Sequence, residues 1–212
     1  MPHSARMHSV AIDAQAQYWP AFLSPIQADA LFQTLTRSYD LNQRQIPMAA
    51  GGYHRASTGQ FLFADAELIN SGALPPVWGP RAPWPETLAL IRDQLSSLFR
   101  CRFSLARCVY YANGDEAMAY HTDPPALGDT DSIASLSLGA SRSFEFRSLS
   151  NADDALTLTL QSGDLLWMGP GCQQRYEHAL LPRPGCHQPR LNLTFRLFGW
   201  SGTTAADSTP SG

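Results

Sequence analysis

The sequence predicts a mainly β fold with flanking helices (α+β): a sandwich or jelly roll with two N-terminal helices buttressing one sheet. Three observations predict it. Past Cys101 the chain breaks into short runs of strand length. In the clearest of them Leu156, Leu158 and Leu160 alternate with Thr157, Thr159 and Gln161, the two-residue period of a half-buried strand. Clusters of Gly, Asp and Pro separate the runs, and two segments of helical pattern precede them. At 212 residues one domain is the default. A chain of this size buries roughly 70% of its unfolded surface, enough for a real core.

The first dozen residues carry no strong pattern and are expected to be loose. Ser24-Pro25-Ile26-Gln27 reads as a helix start, with Ser as N-cap, Pro at the first helical position and Gln three residues after the cap. That helix is expected to reach about Thr36. Residues 40 to 60 are rich in Gln, Gly, Ala and Ser, which is loop chemistry and a candidate lid. The Pro-rich span from Leu74 to Pro85 reads as a rigid connector. A second helix follows, with Leu88, Ile91, Leu95 and Leu98 on one face. Strands are expected at 102–112, 132–138, 142–148, 155–161, 164–168, 174–180 and 190–198. The division is therefore a helical extension with a lid (1–100), a β core (101–200) and a disordered tail (201–212), the first two within one domain.

Hydrophobic content of 44% and a charged fraction of 16% fit a globular protein, and the formal net charge of -3 excludes a broad electrostatic grip on nucleic acid. All fifteen basic residues are Arg, so phosphate contacts have to use Arg or backbone N–H groups. The four cysteines show no CxxC pairing and read as reduced structural thiols. The first twenty residues hold no apolar signal region, and no run approaches the ~18 apolar residues of a membrane span. A cytoplasmic monomer with no membrane partner is the expectation.

Arg190-Leu191-Asn192-Leu193-Thr194-Phe195-Arg196 alternates polar and apolar residues. As a strand it places Arg190, Asn192, Thr194 and Arg196 on one face and Leu191, Leu193 and Phe195 on the other. Two arginines on one face of a core-like strand are costly unless something anionic sits between them. Upstream, His121 and Asp123 are two residues apart, so an extended segment points both side chains the same way. With His178 they make two imidazoles and one carboxylate, a triad that leaves coordination positions open and suits non-haem Fe(II) oxygenases. A metal beside an arginine pair points to a dicarboxylate cosubstrate, which a planar guanidinium fork matches in bidentate fashion. Tyr111 offers a phenol to the same ligand. His3, His8, His54 and His187 have no carboxylate at ligand spacing.

His121-Thr122-Asp123, Ser135-Leu136-Ser137-Leu138-Gly139, Phe144-Glu145-Phe146, Leu160-Gln161-Ser162-Gly163-Asp164-Leu165-Leu166, His178 and the seven-residue arginine strand together resemble the AlkB family of Fe(II)- and 2-oxoglutarate-dependent dioxygenases. The resemblance runs in order from about Arg102 to Phe198, with a weaker echo over residues 41 to 99, including Trp84-Pro85. It implies a double-stranded β-helix, a jelly-roll relative. It implies that His121, Asp123 and His178 bind iron, and that Arg190 pairs with the distal carboxylate of 2-oxoglutarate, helped by Tyr111. Arg196 would hold the carboxylate nearer the metal, with Asn192 beside it.

The implied activity is oxidative removal of N-alkyl groups from nucleobases, using O2 and releasing formaldehyde, succinate and CO2. Such a base has to be single-stranded or flipped out of its stack. Tyr53, Phe61 and Phe63 are the candidates to stack on it, and Arg55 and Arg142 the candidates for phosphate contact. This sequence departs from the family at three places. Val109 stands where the family often has Asn, two residues before the tyrosine. Pro124-Pro125 follows Asp123, where many DNA-repair members carry acidic residues. His54-Arg55-Ala56-Ser57-Thr58-Gly59-Gln60-Phe61 replaces the Pro-Arg-Leu and Trp-Tyr-Gly segments of duplex-type members. Two alternatives stay open: the same chemistry on a protein or small-molecule substrate, and a non-catalytic jelly-roll binding domain.

Overall fold

The architecture is set by eight strands that alternate between two sheets. A computed structural model describes residues 6–48 and 50–199. Leu105–Tyr111 (β7), Ile133–Gly139 (β9), Leu165–Met168 (β12) and Arg190–Arg196 (β14) form the centre of the larger sheet, in the order β12-β9-β14-β7. Met118–His121 (β8), Arg142–Ser148 (β10), Ala155–Leu160 (β11) and Tyr176–Leu180 (β13) form the smaller sheet, in the order β11-β10-β13-β8. Successive strands therefore cross between layers, except for the hairpin β10–β11, and that is the jelly roll the alternation predicts. Every pairing among these eight is antiparallel.

The N-terminal hundred residues extend the larger sheet at both edges. His8–Ser9 (β1) and Ala16–Trp19 (β2) add to β12, whereas Gly59–Ala64 (β5) and Arg81–Pro83 (β6) add to β7. Gln45–Pro47 (β3) and Tyr53–Arg55 (β4) pair as a separate hairpin. Gly59 has to be glycine because a Cβ there would meet the Leu41 carbonyl oxygen at 2.2 Å. Several expectations are corrected here. The opening residues include a strand, because His8 and Ser9 find backbone partners in Tyr18 and Gln17. The 40–60 segment is largely a hairpin plus the start of β5. The 74–85 connector holds a 3-10 turn, Pro76–Trp78, and the parallel strand β6. Residues 172–175 form one helical turn, so the strand expected from 174 begins at Tyr176. The predicted tail, 201–212, lies outside the described residues.

Two longer helices cover the outer face of the larger sheet. Pro25–Ser38 (α1) has the predicted capping box: Ser24 Oγ accepts from the Gln27 N–H, and Gln27 Oε1 accepts from the Ser24 N–H. It buries Ala28, Leu31 and Leu35. Glu86–Phe99, the third helix in the chain after the short Ala66–Asn70, buries Leu88, Ile91 and Leu95. Leu98 was expected on that face but is 46% exposed. The next residue does its work instead: Phe99 stacks on Trp167 and meets Trp19 edge-on, with centroids 5.1 and 5.3 Å away. These helices pack on Leu191, Leu193 and Phe195 of β14 together with Phe61, Phe63, Ala106, Cys108 and Leu136. A second cluster, including Ile133, Phe144, Phe146, Leu166 and Met168, fills the space between the sheets at one end. The other end of that space is a cavity.

Candidate active site

The register of the smaller sheet assembles the metal triad. His121 ends β8 and is the direct cross-strand partner of His178 on β13, so two residues far apart in sequence bring their rings to 4.4 Å between centroids. Asp123 follows β8 by two residues, and its Oδ2 lies 3.7 Å from His178 Nε2. One ligand atom from each of the three residues falls within 4.8 Å of the others. His8, His54 and His187 take no part in this group.

Local contacts fix how the triad presents itself. His121 Nδ1 lies 2.8 Å from the Ala119 carbonyl oxygen, which as an acceptor requires the proton on Nδ1 and leaves the Nε2 lone pair free. The buried Gln173 Oε1 accepts from the Asp123 backbone N–H at 2.8 Å. Phe144 stacks on His178 at 5.3 Å. Burial pushes the His178 pKa down to about 4, against the opposing pull of Asp123, so its imidazole is neutral at pH 7, as a metal ligand needs.

The arginine strand lies across the cavity on the larger sheet. Its two faces divide as the alternation predicts. Leu191, Leu193 and Phe195 point to the helices; Asn192, Thr194 and Arg196 line the cavity with Tyr111 and Val109 of β7. Arg196 is fully buried. Its Nη2 donates to the carbonyl oxygens of Gly128 and Asp129, and its Nη1 stands 3.9 Å from Asp123 Oδ1. The Nε and Nη1 of Arg196 have no hydrogen-bond partner among the described residues. Gly128 holds this carbonyl in place with φ +109, and a Cβ on it would meet the Leu197 carbonyl oxygen at 2.0 Å. Arg190, also fully buried, does not line the cavity. Its Nη1 donates to Ala140 and Leu160 oxygens and its Nη2 to Ser137 Oγ, while its Nε has no partner among the described residues. Burial lowers its pKa to about 10, so it stays charged, and raises that of Tyr111 to about 12, so the phenol keeps its proton. Ser135 Oγ, Asn192 and Thr194 Oγ1 form a hydrogen-bonded row between the two arginines.

The expected substrate residues do not share this neighbourhood. Phe61 and Phe63 point into the helix-side core, where they pack on each other and on Tyr39. The parity of β5 turns Gln60 toward the cavity side instead. Tyr53 and Arg55 are exposed on β4, and the intervening His54 faces a hollow beside the cavity. Arg142 is not a phosphate-facing residue: it is fully buried and donates to carbonyl oxygens of Leu181, Asn113 and Glu116. Its position two residues before Phe144 and four before Phe146 on an alternating strand carried that signal. Sequence reasoning did not single out Arg107 of β7, which lines the cavity with its guanidinium hydrogen-bonded to Gln60 Oε1 at 3.1 Å. Its two-residue spacing from Val109 and Tyr111 marks the same face.

A model of the 2OG-Fe(II) oxygenase superfamily matches residues 15–196 of this chain. The chain belongs to that superfamily. Within it, this oxygenase belongs with the AlkB proteins. It is 30% identical over 182 residues to human DNA oxidative demethylase ALKBH2, covering 80% of this chain and 68% of that protein. It is 27% identical to the alpha-ketoglutarate-dependent dioxygenase alkB homolog 3 of Bos taurus, over 84% of this chain and 64% of that one. It is 29% identical to the uncharacterized protein R406 of Acanthamoeba polyphaga mimivirus, over 55% of this chain and 61% of that one. The oxygenase thus spans less than two thirds of the length of the last two. The solved structure of OsALKBH1 superimposes with a TM-score of 0.59 at 16% identity, covering 89% of this chain and all of that one, a likeness of fold.

Fe(II) and 2-oxoglutarate, the metal and cosubstrate of this superfamily, fit the residues present. Two imidazoles and a carboxylate on one side of a cavity are the donor set for Fe(II) with open positions. The unpaired nitrogens of the buried Arg196 call for an anionic partner from outside the chain, because an unmatched buried donor costs roughly 1–3 kcal/mol or more.

Proposed function

We propose that this oxygenase is an Fe(II)- and 2-oxoglutarate-dependent oxidative demethylase of N-alkylated nucleobases, acting on single-stranded or flipped-out nucleic acid. One observation carries the reading: the triad and the partnerless nitrogens of Arg196 converge in one buried cavity. The nucleic-acid part is supported by the relatives named DNA oxidative demethylase. The four free cysteines support a reducing, cytoplasmic setting.

His121, Asp123 and His178 would hold the iron. Arg196 and Asn192 would take the carboxylate of 2-oxoglutarate nearer the metal, and Tyr111, whose cross-strand partner is the buried Arg190, the distal one. When bound, the pair supplies the oxidising chemistry, in which O2 is spent on decarboxylating the cosubstrate and hydroxylating the N-alkyl carbon. The protein's own residues orient and desolvate. Gln173 Oε1 fixes the Asp123 backbone by accepting from its N–H, and the Asp123 carboxylate sits in the field of Arg196. Phe144, Val109, Met118 and Leu180 wall the cavity against water. Val109 gives the cosubstrate an apolar contact where an amide would give a hydrogen bond, so Tyr111 and Asn192 carry the neutral polar contacts.

The test is incubation of the protein with Fe(II), ascorbate, 2-oxoglutarate and methylated single-stranded oligonucleotides. Formaldehyde and succinate are expected in equal amounts. Succinate without formaldehyde from any methylated base rejects the nucleic-acid substrate.

A further inference from the structure

A second hollow adjoins the cavity. Its walls are the β3–β4 hairpin through Ile46 and His54, the 3-10 turn through Trp78, and the Pro124–Leu127 turn that follows Asp123. Arg107 and Leu127 line both spaces, so Arg107 borders the outer hollow and the cavity of the triad alike.

The charge balance of this passage is one-sided. The sole carboxylate lining either space among the described residues is Asp123, which the triad uses. Arg196 stands near that carboxylate, but Arg107 forms no ion pair among the described residues. Its guanidinium is matched by the neutral oxygen of Gln60. A guanidinium cannot accept a hydrogen bond, so Gln60 must turn its oxygen to Arg107 and keep its Nε2 hydrogens to donate elsewhere. The turn after Asp123 offers Pro124, Ala126 and Leu127, which are apolar. The passage is therefore rich in donors, cationic, and without a free acceptor carboxylate.

We propose that Arg107, backed by Gln60, is the specificity-determining residue of this oxygenase. It selects N-alkylated bases that stay neutral and flank the alkylated nitrogen with carbonyl oxygens, the 3-alkyl pyrimidine-2,4-diones. It disfavours bases that alkylation makes cationic and that carry an exocyclic amine, the 1-alkyladenines and 3-alkylcytosines. The diones offer acceptors to the Arg107 and Gln60 donors. The cationic bases bring a like charge to Arg107 and donors to donors, an arrangement that discriminates by repulsion as well as by lost bonds. This inference rests on the demethylase reading above.

The experiment compares formaldehyde release from single-stranded oligonucleotides of one sequence carrying N3-methylthymine, N1-methyladenine or N3-methylcytosine, together with their binding by fluorescence anisotropy. The wild-type protein should prefer methylthymine in kcat/KM by about 100-fold, the scale of a like-charge juxtaposition. Arg107→Gln should collapse that ratio to within about tenfold and weaken binding of the methylthymine strand selectively; Arg107→Lys, which keeps the charge, should still disfavour the cationic bases. Wild-type preference for a cationic base overturns the inference and leaves the demethylase reading standing. So does an equal loss on all three substrates in a folded Arg107→Gln protein. Release from none of them, with Fe(II) and 2-oxoglutarate bound, overturns both. Should Arg107→Gln not fold, the wild-type ranking and the Arg107→Lys ratios decide.

Discussion

Both faces of β14 carry fully buried side chains, and they are built on opposite principles. Leu191, Leu193 and Phe195 are fully buried against helices, and every atom there is satisfied by packing within the chain. Phe195 stacks on Trp84 at 5.9 Å and meets Phe103 at 6.3 Å. On the reverse face, Arg190 and Arg196 are as deeply buried, yet three of their nitrogens find no partner among the described residues. A face that is complete in itself is core. A face that folds with unmatched donors is waiting for a ligand, since buried charge without a partner is not a stabilising choice.

This contrast is open to attack by substitution, and the effects should fall in a definite order. Asp123→Ala should keep the far-UV circular dichroism of the wild type and cut succinate formation by roughly a thousand-fold or more, the scale of the several kcal/mol that a bound metal supplies. Retained turnover would detach the triad from the chemistry. On the core face, Phe195→Ala should lower stability by about 3–5 kcal/mol in urea denaturation, with the metal site affected only through unfolding. A loss below about 1 kcal/mol would mean that this face is not close-packed. Arg196→Leu should behave differently from both. In wild-type protein, Fe(II) and saturating 2-oxoglutarate under anaerobic conditions should raise Tm by ~5–10 °C. In the variant the part of that rise that 2-oxoglutarate adds over Fe(II) alone should vanish, and a full rise there would place the cosubstrate elsewhere. The smallest effect belongs to Leu98→Ala. Because Leu98 is exposed, its loss should stay within about 0.5 kcal/mol, against about 2–5 for Leu95→Ala one turn earlier.

Much of the β core could be read from pattern because its strands alternate strictly. β14 and β11 show the two-residue period over six or seven residues, and the division of β14 into two faces follows from it. The capping box at Ser24 was equally plain. What escaped notice had physical reasons. β8 is four residues long, too short for a period to show, yet its pairing with β13 joins His121 to His178. β5 opens on Gly59, which reads as a turn residue but is demanded by the close approach of Leu41. β1 and β2 are held by pairing on β12, a tertiary effect that local propensity does not carry. Phe61 and Phe63 look like an aromatic pair offered to a ligand. Only knowledge of which face of β5 meets the helices tells that they are core and that Gln60 is the residue on the cavity side. The triad was legible as residue types; Arg107 was not, because a lone Arg in a strand carries no motif.

Anaerobic titration calorimetry of Fe(II) and then 2-oxoglutarate into wild-type and His178→Ala protein is the most direct check that three ligands and a cationic strand make one site. One Fe(II) and one 2-oxoglutarate per wild-type chain are expected, with cosubstrate binding dependent on the metal and lost together with it in His178→Ala. Tight 2-oxoglutarate binding that ignores both the metal and His178, or no Fe(II) binding by the wild type, would contradict it.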